Sequence, residues 1–556
     1  VNGYGIFDVG ERVFMTVRGI VFLQDSSERV WERGFLFFIC TLMICRVLFL
    51  YFSNLELSPD EAYYWEWSRR LDWGYYSKPP MVAWIMALST WLMGNSAFAV
   101  RLPAVILSTF ALLGSYLAGR AMFSARAGFC AALLAAASPG ACVAALVMTI
   151  DAPLLFFWSF SLFCVWKAVQ AEVTCSNCPT VSFWWILTGV MVGAGFLTKQ
   201  TMFAFWPAVL MFLITGRDTR RLLKSCWIWV SVSVSAVLLA PVVWWNMHHG
   251  WITIRHTAHH FEQIDRNLFD SLRTLAEFVG SQLGVISPIT CFLAFAVGIG
   301  VLVRFRDFIL RSRADDPGSL RLRRAAALLV FSGTVLLLLV TLLSLKQRVN
   351  ANWPAPFYIA PMILVAAWYC GHISIPGIDR LRKLVMPGVV IGAVMSMLLY
   401  LLPVVIPASG LQGSAVDPLV RLRGWKMLAT RIDMVKDSLP MPEKTFVIAR
   451  RRQTASELAF YMPGNPVVYR WKGHRGRVTS QYELWPGPED KAGWDAVIVI
   501  DADKAVPDDL PSHFRDFKSL SSVSIPLGNR RYRRFNIFLG RGFDPRVSHD
   551  DHVGNN

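Results

Sequence analysis

Long apolar runs separated by short polar loops fill the first 400 or so residues. Eleven runs approach the roughly 20 residues a helix needs to cross a bilayer: 35–53, 97–118, 128–146, 152–170, 183–198, 200–215, 225–247, 280–303, 325–345, 355–371 and 385–407. They are continuous rather than alternating, which predicts membrane helices and not a barrel. Residues 80–94 are too short for a span and read as a helix lying along the interface. From 408 onward the apolar runs shorten and Pro, Gly and charge increase. Strands are expected at 445–449, 466–469, 496–500 and 535–539, with a short helix closing at 456–461. The expected architecture is an all-α polytopic membrane domain with a small C-terminal α/β domain. Its divisions are an N-terminal segment 1–34, a membrane domain 35–407, a soluble domain 408–543 and a disordered tail 544–556.

Composition supports this reading. The chain is 54% hydrophobic with a mean hydropathy of +0.43, above the roughly 45–50% apolar content of ordinary soluble domains. The net charge is +17. A nucleic-acid partner would require a basic stripe on a soluble domain, whereas many of these cations sit in short loops between spans. One set of loops carries Arg29, Arg33, Arg120, Arg126, Lys167, Arg220, Arg221, Lys224, Arg321, Arg323, Arg324, Arg380, Arg382 and Lys383. The opposite loops are poorer, with Arg69, Arg70, Lys78, Lys199, Arg255, Lys346 and Arg348 among their cations. The positive-inside bias puts the first set in the cytoplasm. The N-terminus is then cytoplasmic and uncleaved, and the C-terminal domain lies outside. Ten cysteines occur and none follows position 370, so the C-terminal domain is expected to lack internal disulfides. Cys175 and Cys178 are expected to form a reduced pair in a cytoplasmic loop.

With that orientation, the chemically suggestive residues all fall on the outer face. The first outer loop reads LSPDEAYYWEWSRRLDWGYYSKPPMV and carries Asp60, Glu61 and Lys78. Its aromatics, Tyr63, Tyr64, Trp65, Trp67, Trp73, Tyr75 and Tyr76, are expected to form an interfacial collar. Asp151 follows in TIDAPL and Lys199 in LTKQ. Then come His248, His249, His256, His259 and His260, and last Lys346, Arg348, Asn350 and Asn352 in KQRVNANWPAP. Taken singly, the lysines could snorkel to headgroups and Asp151 could cap a helix. Their convergence on one face argues for a shared site, because charges at the ends of apolar helices are costly unless paired or hydrated.

The motifs PDEAYY, SKPP, TIDAPL, FLTKQ, HGWITIRHTAHHF and NANWPAP, with SELAFYMPGNPVVY and SQYELWPG in the tail, resemble the GT-C membrane glycosyltransferases that use polyprenyl-phosphate sugars. They are most similar to the bacterial branch related to protein O-mannosyltransferases, which includes lipid A aminoarabinose transferases and rhizobial lipopolysaccharide galacturonosyltransferases. By position, the resemblance implies that Asp60 activates the acceptor, Asp151 is a second acid near the donor sugar and Lys78 contacts the carrier phosphate. In the aminoarabinose transferases a glutamate precedes that lysine and helps hold a metal; here the residue is Ser77.

The expected function is therefore sugar transfer from a polyprenyl-phosphate donor to an envelope acceptor, lipid A or lipopolysaccharide favoured, at the periplasmic face of the bacterial inner membrane. Asp60 is the expected base of an inverting reaction, with Asp151 and Glu61 as further acids. Lys78, Lys199, Lys346 and Arg348 are candidates for the carrier phosphate. Tyr63, Tyr76, His256, His260 and Asn352 are candidates for other substrate contacts. No cofactor is required; a divalent metal on His256 and His260, at i, i+4 spacing, is the alternative. The rival functions are a flippase of lipid-linked sugars, which would place charges near the midplane in two repeated halves, and a protein O-glycosyltransferase.

Overall fold

Proline decides where the apolar runs bend. The computed structural model describes residues 8–175, 178–216, 218–259, 267–304, 317–471 and 478–546. Its helices are α1 (Asp8–Phe52), α2 (Pro59–Ser68), α3 (Met81–Met93), α4 (Ala97–Met122), α5 (Ala125–Ala136), α6 (Pro139–Leu146), α7 (Asp151–Thr174) and α8 (Pro179–Phe196). They continue with α9 (Phe205–Thr215), α10 (Cys226–His248), α11 (Ile252–His259), α12 (Leu268–Ile286), α13 (Pro288–Val303), α14 (Pro317–Leu329), α15 (Leu336–Leu343), α16 (Ile359–Tyr369), α17 (Val385–Ala408), α18 (Trp425–Asp437) and α19 (Arg452–Tyr461).

Among the described residues seven helices are long and apolar enough to cross a membrane, and nine if two bent pairs each count as one span. The expected run 128–146 is such a pair, α5 and α6, bent by 73°. The run 280–303 is the other, α12 and α13, bent by 109°. In both, a serine precedes a proline. The proline ring disfavours the helical conformation for the residue before it; Ser138 is extended at φ −73° and ψ 127°, and Ser287 turns to φ 86°. The runs 200–215 and 355–371 are shorter helical segments, and 80–94 forms α3. Large apolar side chains such as Phe37, Trp229, Val237 and Met397 face outward, as the lipid-facing surface of a multi-pass membrane protein requires. One expectation is corrected: Cys175 and Cys178 are joined by a disulfide. They terminate α7 and begin α8, which holds their Cα atoms 5.8 Å apart, within the span a bridge can close.

The C-terminal part is an α/β unit. Its five strands are β1 (Thr445–Ala449), β2 (Val468–Arg470), β3 (Asp495–Asp501), β4 (Phe514–Gly528) and β5 (Arg531–Phe543), in the order β2-β1-β3-β5-β4. The pairs β1–β2 and β1–β3 are parallel; β3–β5 and β4–β5 are antiparallel. Strand β4 was not expected from the sequence. It is an edge strand whose middle is polar and exposed; alternation is confined to its last part, where Val523, Ile525 and Leu527 turn inward, and Pro526 there reads as a strand breaker.

Helix α2 joins the two parts, and here the aromatic collar is corrected. Trp65, Trp67 and Tyr75 are fully buried, and Tyr63 and Tyr64 nearly so; Trp73 is the exposed ring. They belong to one core that runs from α3 and α4 through α2 into α18, α19 and the sheet. Trp65 meets Phe460 edge-to-face at 4.9 Å. The Tyr461 hydroxyl accepts the Leu57 amide at 2.6 Å, and the Arg69 guanidinium donates to the Asn465 carbonyl at 2.8 Å. These rings cement the C-terminal unit to the first loop; they do not meet lipid headgroups.

A buried ion pair holds this junction to the membrane helices. Ser58, Pro59 and Glu61 begin α2 as a capping box with proline at the first turn. The Glu61 carboxylate then points into the core, where Arg101 of α4 donates to both of its oxygens at 2.8 Å. The Met148 amide adds a third bond at 3.0 Å, and the remaining Arg101 donors go to the Leu55 and Glu56 carbonyls. Removing one member strands the other as an unpaired buried charge, which costs about 3–5 kcal/mol. Glu61→Ala should therefore lower the unfolding midpoint of the detergent-purified protein sharply, and a Glu61→Met/Arg101→Met double variant should recover part of the loss. An unchanged midpoint in Glu61→Ala would show that the pair does not hold the junction.

Candidate active site

The capping box separates the two neighbouring acids. Glu61 is fully buried and saturated with donors, so it cannot meet a substrate; its expected catalytic place is corrected. Asp60, one position earlier in the same turn, points out and is 60% exposed at its side chain. The Arg452 guanidinium, at the start of α19, lies 3.1 Å from it and also covers the Tyr63 ring at 4.6 Å. Tyr63 is corrected as well: it is buried, and its hydroxyl accepts the Gln481 amide at 2.6 Å.

The loop after α2 brings Lys78 back toward Asp60. Tyr75 shapes the loop by donating its amide to the Lys78 carbonyl at 3.1 Å. Trp245 of α10 braces it, with its indole N–H 2.7 Å from the Asp72 carboxylate. Position 74 must be glycine, since a Cβ there would fall 2.7 Å from the Trp245 ring. Thr253 donates to the Tyr75 carbonyl at 2.8 Å, and the Met81 amide donates to the Leu197 carbonyl at 2.9 Å. The first loop is thereby tied to the segments that carry Lys199 and the histidines.

Asp151, at the start of α7, is held from two other segments. One of its oxygens receives the Lys199 ammonium at 2.8 Å and the other the Asn352 amide at 2.7 Å. Lys199 is thus already neutralised. Lys78 is different: among the described residues nothing hydrogen-bonds its ammonium. Burial, and then the nearby Lys199 charge, push its pKa down to about 8 against the opposing pull of Asp151 and Asp60. The same two carboxylates, together with burial, raise the Tyr64 hydroxyl. Asp60, Lys78, Asp151 and Lys199 therefore act on one another electrostatically, with Asn352 attached.

The other candidates lie apart. Lys346 and Arg348 are exposed beyond α15; Arg348 is 3.7 Å from Glu277 of α12, and no hydrogen bond or ion pair joins either cation to Asp151, Lys199 or Lys78. The Tyr76 amide donates to the Gln481 side chain at 2.7 Å, while its ring packs on His256 at 4.7 Å. His260 lies outside the described residues. Among the described residues no group of three His, Cys, Asp or Glu side chains converges, and position 77 is serine.

Beneath Asp151 opens a cavity of about 450 Å³. Asp151, Thr149 and Asn352 line its polar part, while Ala111, Ala144, Gly140, Val285 and Ile359 supply apolar wall between the helices. Arg46 of α1 also lines it. Arg46 is buried, its Nε donates to the Tyr400 hydroxyl at 3.2 Å, and its Nη1 has no partner among the described residues. Sequence reasoning passed over Arg46 and Arg101, and placed Arg452 only in a basic cluster, 450–452, facing anionic lipid or polysaccharide. The first two were visible as arginines within or at the start of apolar runs, where a charge is a functional candidate by default.

Comparison with known proteins agrees with this architecture. Residues 77–245 match the family described as dolichyl-phosphate-mannose-protein mannosyltransferase. The lipid A galacturonosyltransferase RgtD of Rhizobium johnstonii is 29% identical over 340 residues, covering 60% of this chain and 65% of that protein. The undecaprenyl phosphate-alpha-4-amino-4-deoxy-L-arabinose arabinosyl transferase of Pseudomonas aeruginosa is 27% identical over 201 residues, covering 34% of this chain and 35% of that protein. The chain thus spans just under two thirds of the first relative and about a third of the second. The structure of ArnT from Cupriavidus metallidurans bound to undecaprenyl phosphate superposes with a TM-score of 0.56 at 17% identity, over 91% of this chain and 98% of that one; at that identity the likeness concerns the fold. The chain is thus similar in sequence to membrane glycosyltransferases of the protein O-mannosyltransferase and lipid A galacturonosyltransferase kind, and it shares the fold of ArnT.

Proposed function

We propose that this protein is a glycosyltransferase that moves a sugar from a polyprenyl-phosphate donor to an envelope acceptor, with lipid A or lipopolysaccharide favoured. The observation that carries the reading is the apolar cavity whose polar end is Asp151 and Asn352, with Asp151 in electrostatic reach of the Lys78 ammonium, which nothing among the described residues hydrogen-bonds. A lipid carrier needs that combination: a greasy slot for the chain and a cation for the phosphate where the slot opens. The names of the relatives support the acceptor and carrier, since one is a lipid A galacturonosyltransferase and another uses an undecaprenyl-phosphate sugar. The loop-charge bias supports placement in the inner membrane with the N-terminus cytoplasmic and the C-terminal unit periplasmic. The Cys175–Cys178 bridge pulls against that orientation, because it would lie on the reducing side.

In this mechanism the acceptor hydroxyl attacks the anomeric carbon as the bond from that carbon to the phosphate oxygen breaks. Asp60 takes the hydroxyl proton, which its exposure permits. Negative charge grows on the departing phosphate, and Lys78 meets it as a compact point charge. Asp151, fixed by Lys199 and Asn352, orients sugar hydroxyls rather than moving protons. Direct attack inverts the anomeric centre.

Asp60→Asn should lower transfer by about 10²–10⁴-fold while leaving the unfolding midpoint unchanged, since the side chain is largely exposed. The assay supplies radiolabelled polyprenyl-phosphate sugar to reconstituted protein, and near wild-type turnover would refute the assigned base. Lys78 gives a second test. The charged form binds phosphate and is full below pH about 8, so affinity for undecaprenyl phosphate should fall as pH rises past that value. Lys78→Arg, which stays charged, should remove the fall. A wild-type affinity that is flat from about pH 7 to 10 would contradict the lowered pKa, and a Lys78→Ala variant that binds undecaprenyl phosphate as tightly as wild type would exclude Lys78 as the phosphate ligand.

A further inference from the structure

A second polar cavity, of about 360 Å³, lies on the C-terminal unit where the parallel strands end. Arg450, Arg451, Arg452 and Gln453 reach it from the segment after β1, Arg470 from the end of β2 and Lys504 from the segment after β3. The topology singles out this place. From β1 the chain crosses through α19 to β2 on one side; from β3, on the other side of β1, it leads away toward β4. Between β1 and β3 the connections diverge, and in open α/β sheets ligands bind in the crevice outside the strand ends at such a point. Helix α19 starts there with no side chain capping its first turn, so its free amides add positive potential.

Most cations at this crevice already have counterions. Arg451 meets Asp503 at 2.6 Å and Asp501 at 3.6 Å, Lys504 meets Asp503 at 3.8 Å, and Arg452 meets Asp60 at 3.1 Å. Arg470 pairs with Glu483 and donates to Thr479 and Ser480. Arg450 is the exception: its side chain has no hydrogen-bond or ion-pair partner among the described residues, and its Nε is buried. A second buried donor, the Arg470 Nε, also has no partner among the described residues. A guanidinium left without a counterion is costly, and an anion in the crevice would supply one to Arg450.

We propose that this crevice is an anion subsite for the acceptor, taking a phosphate or carboxylate of an envelope glycolipid. It adjoins the reaction centre through Arg452, which lines the crevice and pairs with Asp60. An acceptor held there by its anionic group presents a neighbouring hydroxyl toward Asp60. The proposal rests on the glycosyltransferase reading, so its test includes a readout that needs no turnover.

The test titrates inorganic pyrophosphate into the full-length protein in nanodiscs of zwitterionic lipid. Wild type should bind saturably, and the Arg450→Gln/Lys504→Gln double variant should bind roughly tenfold more weakly or worse, with affinity for undecaprenyl phosphate unchanged. No saturable binding, or equal binding by the variant, overturns the site even if transfer is intact. Nanodiscs containing phosphatidylglycerol separate the two sources of anion. Unaltered pyrophosphate affinity supports a glycan-facing subsite, whereas competition by the lipid assigns the crevice to membrane headgroups and overturns the acceptor role. In the transfer assay the double variant should raise the acceptor KM with kcat and donor KM preserved. A fall in kcat at unchanged acceptor KM contradicts the proposal.

Discussion

The pairing of Glu61 with Arg101 is the constraint from which the arrangement of the site follows. A carboxylate and a guanidinium can share a dry interior only when nearly every donor and lone pair is used. Here the capping box, the Met148 amide and two backbone carbonyls use them. The pair fixes α2 against α4 and against the segment leading to α7. Glu61 faces inward, and Asp60, at the first turn of the same helix, is left largely exposed. The buried contact thus anchors the helix that carries the proposed base.

A second consequence concerns the C-terminal unit. It is packed on α2 through Phe460, Tyr461, Tyr482 and Trp485 within one continuous core. The unit is therefore part of the wall of the site, with Arg452 beside Asp60 and Gln481 gripping both Tyr63 and Tyr76. Buried within the same junction is Glu457, whose pKa burial raises strongly, helped by Glu56 and Glu61. The same carboxyl lies within electrostatic reach of Arg101 and Arg533, which pull the other way.

The membrane architecture was legible because apolar runs must be helical in lipid and their length is set by the bilayer. The gathering of Asp60, Lys78, Asp151 and Lys199 was legible for a related reason: loop charge assigned their segments to one face. The bends were marked by Ser138-Pro139 and Ser287-Pro288, but hydropathy alone runs through them. The aromatic loop was misread because Trp and Tyr suit a headgroup belt and a protein core equally well. The different fates of Asp60 and Glu61 were written in Ser-Pro-Asp-Glu, a capping-box pattern whose third helical residue turns back and in. Arg452 was legible only as part of the basic cluster 450–452; its pairing with Asp60 was not, since 392 residues separate the two and nothing local announces it.

The account holds that one set of charges serves an apolar slot built for a lipid carrier. The most direct measurement is an experimental structure of the protein in nanodiscs with undecaprenyl phosphate. The account requires the phosphate within hydrogen-bond distance of the Lys78 ammonium, and the isoprenoid chain in the cavity between Asp151 and Arg46. A phosphate bound away from Lys78, with the chain lying on the outer lipid-facing surface, would contradict it.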